Sequence, residues 1–127
     1  MNGALSVSRS RKPLSIPKNG RSTREKMIAG LKSKEMFFLL AETFQALGDS
    51  SRVQIVWALS HGELAVGDIA QLISMSQPAV SHHLRTLRNL HLVKVRKDGR
   101  TSFYALDDEH IERLLHEGIE HVQDLLP

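Results

Sequence analysis

The sequence contains no cysteine. That removes disulfides, thiolate metal sites and thiol redox sensing together. No apolar run approaches about 18 residues, so no membrane span is expected. The basic N-terminus is not followed by an apolar h-region, so no signal peptide is read and a cytoplasmic location is expected. There is no internal repeat. Acid is nearly missing from the first 34 residues, where nine Lys/Arg stand against Glu25 alone, a net +8.

What is present is one small domain's worth of chain. At 127 residues and 41% hydrophobic, it can build a modest core, and dimerisation would help it. Residues 35–127 hold eight Lys/Arg and thirteen acids, a net −5. Within them, residues 77–101 carry six basic side chains against Asp98, whereas residues 107–124 carry seven acids against Arg113. The basic stretches point to a polyanion partner. The acidic end must face away from that partner or be neutralised.

Residues 1–23 read as a disordered basic N-terminal arm, rich in Ser, Pro, Gly and basic residues in its first twenty. Residues 24–127 read as the folded domain. "KEMFFLLAETFQALGD" places Phe37, Leu40, Ala41, Phe44 and Leu47 at helical spacing, with Gly48 as a stop. "SRVQIVWALSHG" follows, capped by Asp49 or Ser50, with Val53, Val56, Trp57 and Leu59 apolar and Gly62 closing it. A short helix over about 66–72 and the link "SMS" lead into "QPAVSHHLRTLRNLHLV". That segment has Ser76 as cap, a proline in its first turn, and Ala79, Val80, Leu84, Leu87 and Leu90 as its inward stripe. Two short helices across such a turn predict a helix-turn-helix. "LVKVRKDGRTSFYAL" then alternates about an Asp98-Gly99 turn, which predicts a β-hairpin wing. A last helix is expected from Asp108 to Leu126. The fold class is mainly α with a β-hairpin wing: a winged helix-turn-helix, expected as a homodimer.

A helix in the major groove needs polar side chains near its N-terminal end and flanking cations for phosphates. Gln77, Ser81 and His82 are the candidates for base edges. Arg85 and Arg88 lie further along, suited to phosphates. Lys94, Arg96, Lys97 and Arg100 sit on or around the wing, within reach of adjacent backbone or minor groove. The expected partner is double-stranded DNA.

The terminal stretch "DDEHIERLLHEGIEHVQD" holds three of the seven histidines. His110 and His121 are eleven residues apart, which is about 20° net rotation but about 16 Å along a helix. A single ion with bonds near 2.0–2.1 Å cannot touch both within one helix. Antiparallel pairing of two copies removes the difficulty and makes two identical sites. Asp124 lies one turn from His121, and Asp108, as a cap residue off the helical path, can swing toward His110. Each site would hold Asp108 and His110 of one protomer with His121 and Asp124 of its partner. Four N/O ligands suit tetrahedral Zn(II) in a structural or regulatory role, with Co(II) or Ni(II) as other candidates. Ile111, Leu114, Leu115, Ile119, Val122, Leu125 and Leu126 occupy a neighbouring sector and serve the core and the dimer seam. Glu117 lies between the two ends as an outer-shell candidate, and His116 points away. The sequence "HEGIEH" is not a zinc-protease motif, because its histidines are i, i+5 instead of i, i+4. No catalytic residues are assigned and no enzyme is expected.

These residues resemble the ArsR/SmtB family of bacterial metal-sensing repressors over about residues 38–126, most specifically in "AVSHHLRTLRNLHLV". The resemblance implies a dimer that binds an inverted-repeat operator without metal and releases it when metal binds. It implies that one family metal site is absent here, because Ala65 and Gly67 stand where thiolates would be. It implies a second site from an Asp-x-His on the last helix and a His-x-x-Glu/His across the dimer, matched by Asp108, His110, His121 and Asp124. Asp124 is shorter than the usual Glu or His. "GDSSR" departs from the family's usual Asp-Pro at a helix start. The resemblance further implies a link from the second ring nitrogen of His121 to a backbone carbonyl near His91. The alternatives carried forward are a metal-independent winged-helix repressor, a zinc-dependent hydrolase, and a non-specific DNA binder driven by the arm.

Overall fold

A computed structural model describes residues 21–127. The elements are α1 (Arg21–Ala29), α2 (Lys34–Leu47), α3 (Ser50–Leu59), β1 (Leu64–Ala65), α4 (Val66–Ile73), α5 (Gln77–Asn89), β2 (Val93–Asp98), β3 (Thr101–Leu106) and α6 (Glu109–Gln123). The expected basic arm falls, over residues 1–20, outside the described residues. Residues 21–23 are helical, so the first helix begins three residues earlier than the sequence reading placed it. Arg, Glu and Lys are good helix formers, and they extend the helix into the Ser-Thr pair.

The helix starts follow their caps. Ser33, Asp49, Ser76 and Asp108 each take extended backbone and accept from an N–H of the first turn. Asp49 does the capping before α3, and its carboxyl is held below the usual range chiefly by the Arg52 N–H, against partial burial. α4 ends at Ser74 in the left-handed region, φ 56°, and α5 is followed by His91 at φ 57°. Both are positions where a Cβ is strained and glycine is usual.

The core sits where α3, α4 and α5 meet the base of the sheet. Ile55, Val56 and Leu59 of α3, Ile69 of α4, and Val80, Leu84 and Leu87 of α5 are buried together with Leu92 and Val93. The α5 stripe agrees with the sequence at its three central positions, while Ala79 and Leu90 are only half-buried. On α3, Val56 and Leu59 face inward among the four apolar positions read from the sequence, and the other two do not. Val53 and Trp57 are exposed, and Ile55 and Ala58 fill the interior instead. Apolar residues run nearly all round this short helix, so periodicity could not choose its inner face.

The sheet has three antiparallel strands in the order β1-β3-β2. Val93 pairs with Leu106 through to Asp98 with Thr101, so the hairpin turns on Gly99 and Arg100, one residue beyond the expected dipeptide. Gly99 supplies the positive φ of 63° that a two-residue loop needs. β1 pairs Leu64 with Tyr104 and Ala65 with Phe103, and no two-residue strand leaves a period to read.

α2 and α6 are the outliers. α2 buries only Ala46, and α6 buries nothing fully. Ile111 and Leu115 pack on the core, but Phe37, Phe38, Leu40, Phe44, Leu114 and Val122 are exposed. An apolar groove of about 450 Å³ runs between α6 and the α2–α3 pair, lined by Phe44, Leu47, Val53, Leu114, Ile119 and Val122 among others. α6 stops three residues short of its expected end, with Asp124 as its C-cap.

Two substitutions test this account. Leu84→Ala should lose roughly 2–5 kcal/mol of stability in urea denaturation, because it empties a fully buried site between α3 and α5. Ser74→Gly should gain up to about 1 kcal/mol by relieving left-handed backbone at the helix-turn-helix corner.

Candidate nucleic-acid interface and effector site

Ser76 starts α5 by accepting from the Ala79 N–H at 3.3 Å, and Pro78 sits in the first turn, where its missing N–H costs nothing. With Val80, Leu84 and Leu87 turned inward, the opposite face is fixed. Gln77, His82, Arg85 and Arg88 are exposed and Ser81 is half-buried. Gln77 leans back over α4: a Cβ built on Gly67 would lie 3.4 Å from its Nε2. Gly67 thus leaves room for this side chain.

Arg52 is a connector that sequence reasoning missed. Its Nε donates to the Ala46 carbonyl at 2.6 Å, and its Nη1 lies 3.4 Å from His83 Nδ1. One guanidinium therefore joins the end of α2, the start of α3 and the middle of α5. Nothing local marks this role, because its partners are 6 and 31 residues away.

The four basic wing residues separate into three environments. Lys97 and Arg100 are exposed near the hairpin tip and make no ion pair among the described residues. Lys94 lies at the base, in a cleft shared with Glu63, Asp107, Asp108, Glu109 and Glu112. Arg96 is engaged: its Nε and Nη2 donate to Glu63 at 3.0 and 2.8 Å, and its guanidinium lies 4.9 Å from the Phe103 ring centroid. The bidentate hydrogen bonds from Arg96 hold the Glu63 carboxyl below its usual value, and Glu63 in turn raises Arg96.

At the base of the wing, in the same cleft as Lys94, Asp108 is the N-cap of α6 in extended backbone. Its Oδ1 accepts from the His110 N–H at 2.9 Å and lies 3.3 Å from His110 Nδ1. Partial burial opposes ionisation of Asp108, but the hydrogen bonds from His110 and from the Ile111 N–H together outweigh it and keep the carboxyl low. The off-helix swing expected for Asp108 is thus present. His121 lies in the last turn, and Asp124 caps the same helix. Both are exposed, and no hydrogen bond joins their side chains among the described residues. His116 is committed to Glu120, with Nε2 3.0 Å from Oε1, and Glu117 is exposed. Within one chain, no three His, Asp or Glu side chains of the described residues come together to hold an ion. The donors at each helix end are two, of N/O type and open to solvent, which fits half of a four-ligand site.

A recognition helix presented by a buried stripe, a preceding short helix across a tight turn, and a hairpin beside them define a winged helix-turn-helix DNA-binding protein. Residues 49–95 match the family described as "Bacterial regulatory protein, arsR family". The chain is 44% identical over 87 residues to a cadmium resistance transcriptional regulatory protein, a CadC homolog of Staphylococcus aureus, covering 68% of this chain and 72% of that one. It is 45% identical over 85 residues to a transcriptional repressor, an SmtB homolog of Synechocystis, covering 67% and 64% of the two. The homodimeric winged helix-turn-helix domain Mb0332 of Mycobacterium bovis superimposes with a TM-score of 0.66 at 29% identity, over 75% of this chain and 89% of that one. The chain belongs to the ArsR family of bacterial regulators. Both relatives are named as transcriptional regulators. No helix of the described residues is long and apolar enough to cross a membrane.

Ser76→Ala removes the cap that starts the recognition helix. It should cost about 1 kcal/mol in urea denaturation, the usual worth of a Ser cap.

Proposed function

We propose that this chain is a dimeric, metal-responsive transcriptional repressor. It binds an inverted-repeat operator in the metal-free form and releases it when Zn(II), or Co(II) or Ni(II), binds between the two α6 helices. The observation that carries this reading is the Asp108–His110 pair, already 3.3 Å apart at one end of α6, with His121 and Asp124 at the other end of the same helix. The uncovered apolar groove along α6 supports the dimer. Exposed apolar surface of this kind marks an interface, and a two-fold axis lays one helix end beside the other.

In the metal-free dimer, Gln77, Ser81 and His82 read base edges while Arg85, Arg88, Lys97 and Arg100 neutralise phosphates. Asp108 and His110 of one protomer, with His121 and Asp124 of its partner, hold the ion. A divalent ion supplies a bond between helices that otherwise carry like charge. The residues of α6 then favour a dimer arrangement whose recognition helices no longer match two half-sites about one DNA turn apart. His121 joins this change to the recognition helix through the backbone near His91, and the reciprocal effect is that DNA weakens metal binding by the same factor. The N/O donor set and the absence of cysteine favour zinc, cobalt or nickel over sulfur-seeking ions.

The test is an operator titration with and without each of the three ions. Metal should weaken operator binding by roughly 5- to 150-fold. His121→Ala should leave metal-free DNA binding intact and abolish that response. Loss of both functions would assign His121 to dimer stability. A chain that binds no metal, yet binds a palindrome, would be the metal-independent repressor. Steep salt dependence with no preference for a palindrome would mark a non-specific binder.

A further inference from the structure

The Arg96 side chain spans the sheet. The register sets Arg96 of β2 opposite Phe103 of β3, and Phe103 opposite Ala65 of β1. Glu63 immediately precedes β1. To reach Glu63, the guanidinium lies over the Phe103 ring and crosses from one edge strand to the other. Its third nitrogen, Nη1, is 3.9 Å from Asp98. Every guanidinium nitrogen therefore faces a carboxylate of the chain itself.

The sheet shows why such a strap matters. The two strands of the hairpin pair over six residues each, but β3 is tied to β1 over only two. The hairpin is anchored at its base, where Val93 is buried and Tyr104 and Leu106 pack on the core, but its outer half is joined to the rest of the sheet only through the two-residue β1 edge. Lys97 and Arg100 lie one and four residues beyond Arg96. Flexing of the hairpin beyond that base would spread their charges over many orientations, and binding would then have to order them. A single exposed ion pair contributes little. This one is bidentate and stacked on an aromatic face, a geometry that only arginine provides.

We infer that Arg96 and Glu63 form a strap that positions the wing for DNA, so Arg96 is a positioning residue and not a phosphate contact. The inference rests on the reading of the wing as a DNA-contacting element. It assigns a role to Glu63, an acid beside a DNA-binding wing that simple electrostatics would count as unfavourable.

The full-length wild-type protein would first be used to enrich a duplex from a random double-stranded pool. Affinity for that duplex is then measured by fluorescence anisotropy over a range of salt, with thermal melting alongside. Glu63→Gln, Arg96→Lys and Arg96→Gln should each weaken binding by a similar factor, roughly three- to tenfold. The Glu63→Gln/Arg96→Gln double variant should be no weaker than either single one, and the salt slope should not change. The cost of Glu63→Gln should disappear in a Lys97→Gln/Arg100→Gln background, which a merely structural loss would not do. The strap is overturned if Glu63→Gln binds as well as or better than wild type. It is also overturned if Arg96→Lys keeps wild-type affinity while Arg96→Gln lowers the salt slope by about one, the mark of a lost phosphate contact. If no duplex is enriched, the DNA-binding reading fails and the strap with it. If one is enriched and Glu63→Gln is silent, only the strap fails.

Discussion

Burial of Val80, Leu84 and Leu87 of α5 against Ile55, Val56 and Leu59 of α3 aims everything else. These side chains are at most 3% exposed, so α5 cannot rotate without bringing a polar face into the core. Gln77, His82, Arg85 and Arg88 face solvent as a consequence of where the leucines go. Leu92 and Val93 extend the same core into β2, so the wing leaves the body at a defined place. The left-handed residues Ser74 and His91 sit at the two ends of this arrangement, where the chain must turn sharply to keep α4, α5 and β2 in contact.

A second constraint is what the single chain fails to cover. α6 touches the core through Ile111 and Leu115 and leaves the rest of its apolar face, with that of α2, along an open groove. The same helix carries a polar half-site at its N-cap and isolated donors at its C-terminal end. In the proposed dimer, both deficits, apolar cover and missing ligands, would be met by a second copy in antiparallel register. Coupling between effector and DNA would then be a property of the dimer, because each proposed site uses both protomers while each recognition helix belongs to one.

Charge is segregated along the fold. The seven acids of residues 107–124 lie around α6, and the exposed cations of α5 and the hairpin tip lie elsewhere. Lys94, in the acid-lined cleft at the wing base, is one exception, and Glu63 and Arg96 are another, with a carboxylate and a guanidinium brought together across the sheet. Charge counting places Arg96 with the DNA-facing cations. The register across three strands places it over Phe103 and into the grip of Glu63. The difference is tertiary, since the partners are 33 residues apart and one of them precedes a strand too short to recognise.

The sequence by itself determined the helix-turn-helix, the hairpin, the caps Ser76 and Asp108 and the eleven-residue separation of His110 and His121. These depend on local periodicity, cap chemistry and turn glycines, which act within a few residues. It also limited the donor chemistry, because a chain without cysteine has no thiolate to offer. The tertiary structure alone decided which face of α3 is inner, since apolar residues surround that helix. It decided that Phe37, Phe44 and Val122 lie outside the monomer's core, that Arg52 joins three helices, and that Arg96 is engaged with Glu63. Each of these turns on a contact between distant segments, and a pairing energy between distant segments leaves no period in the sequence.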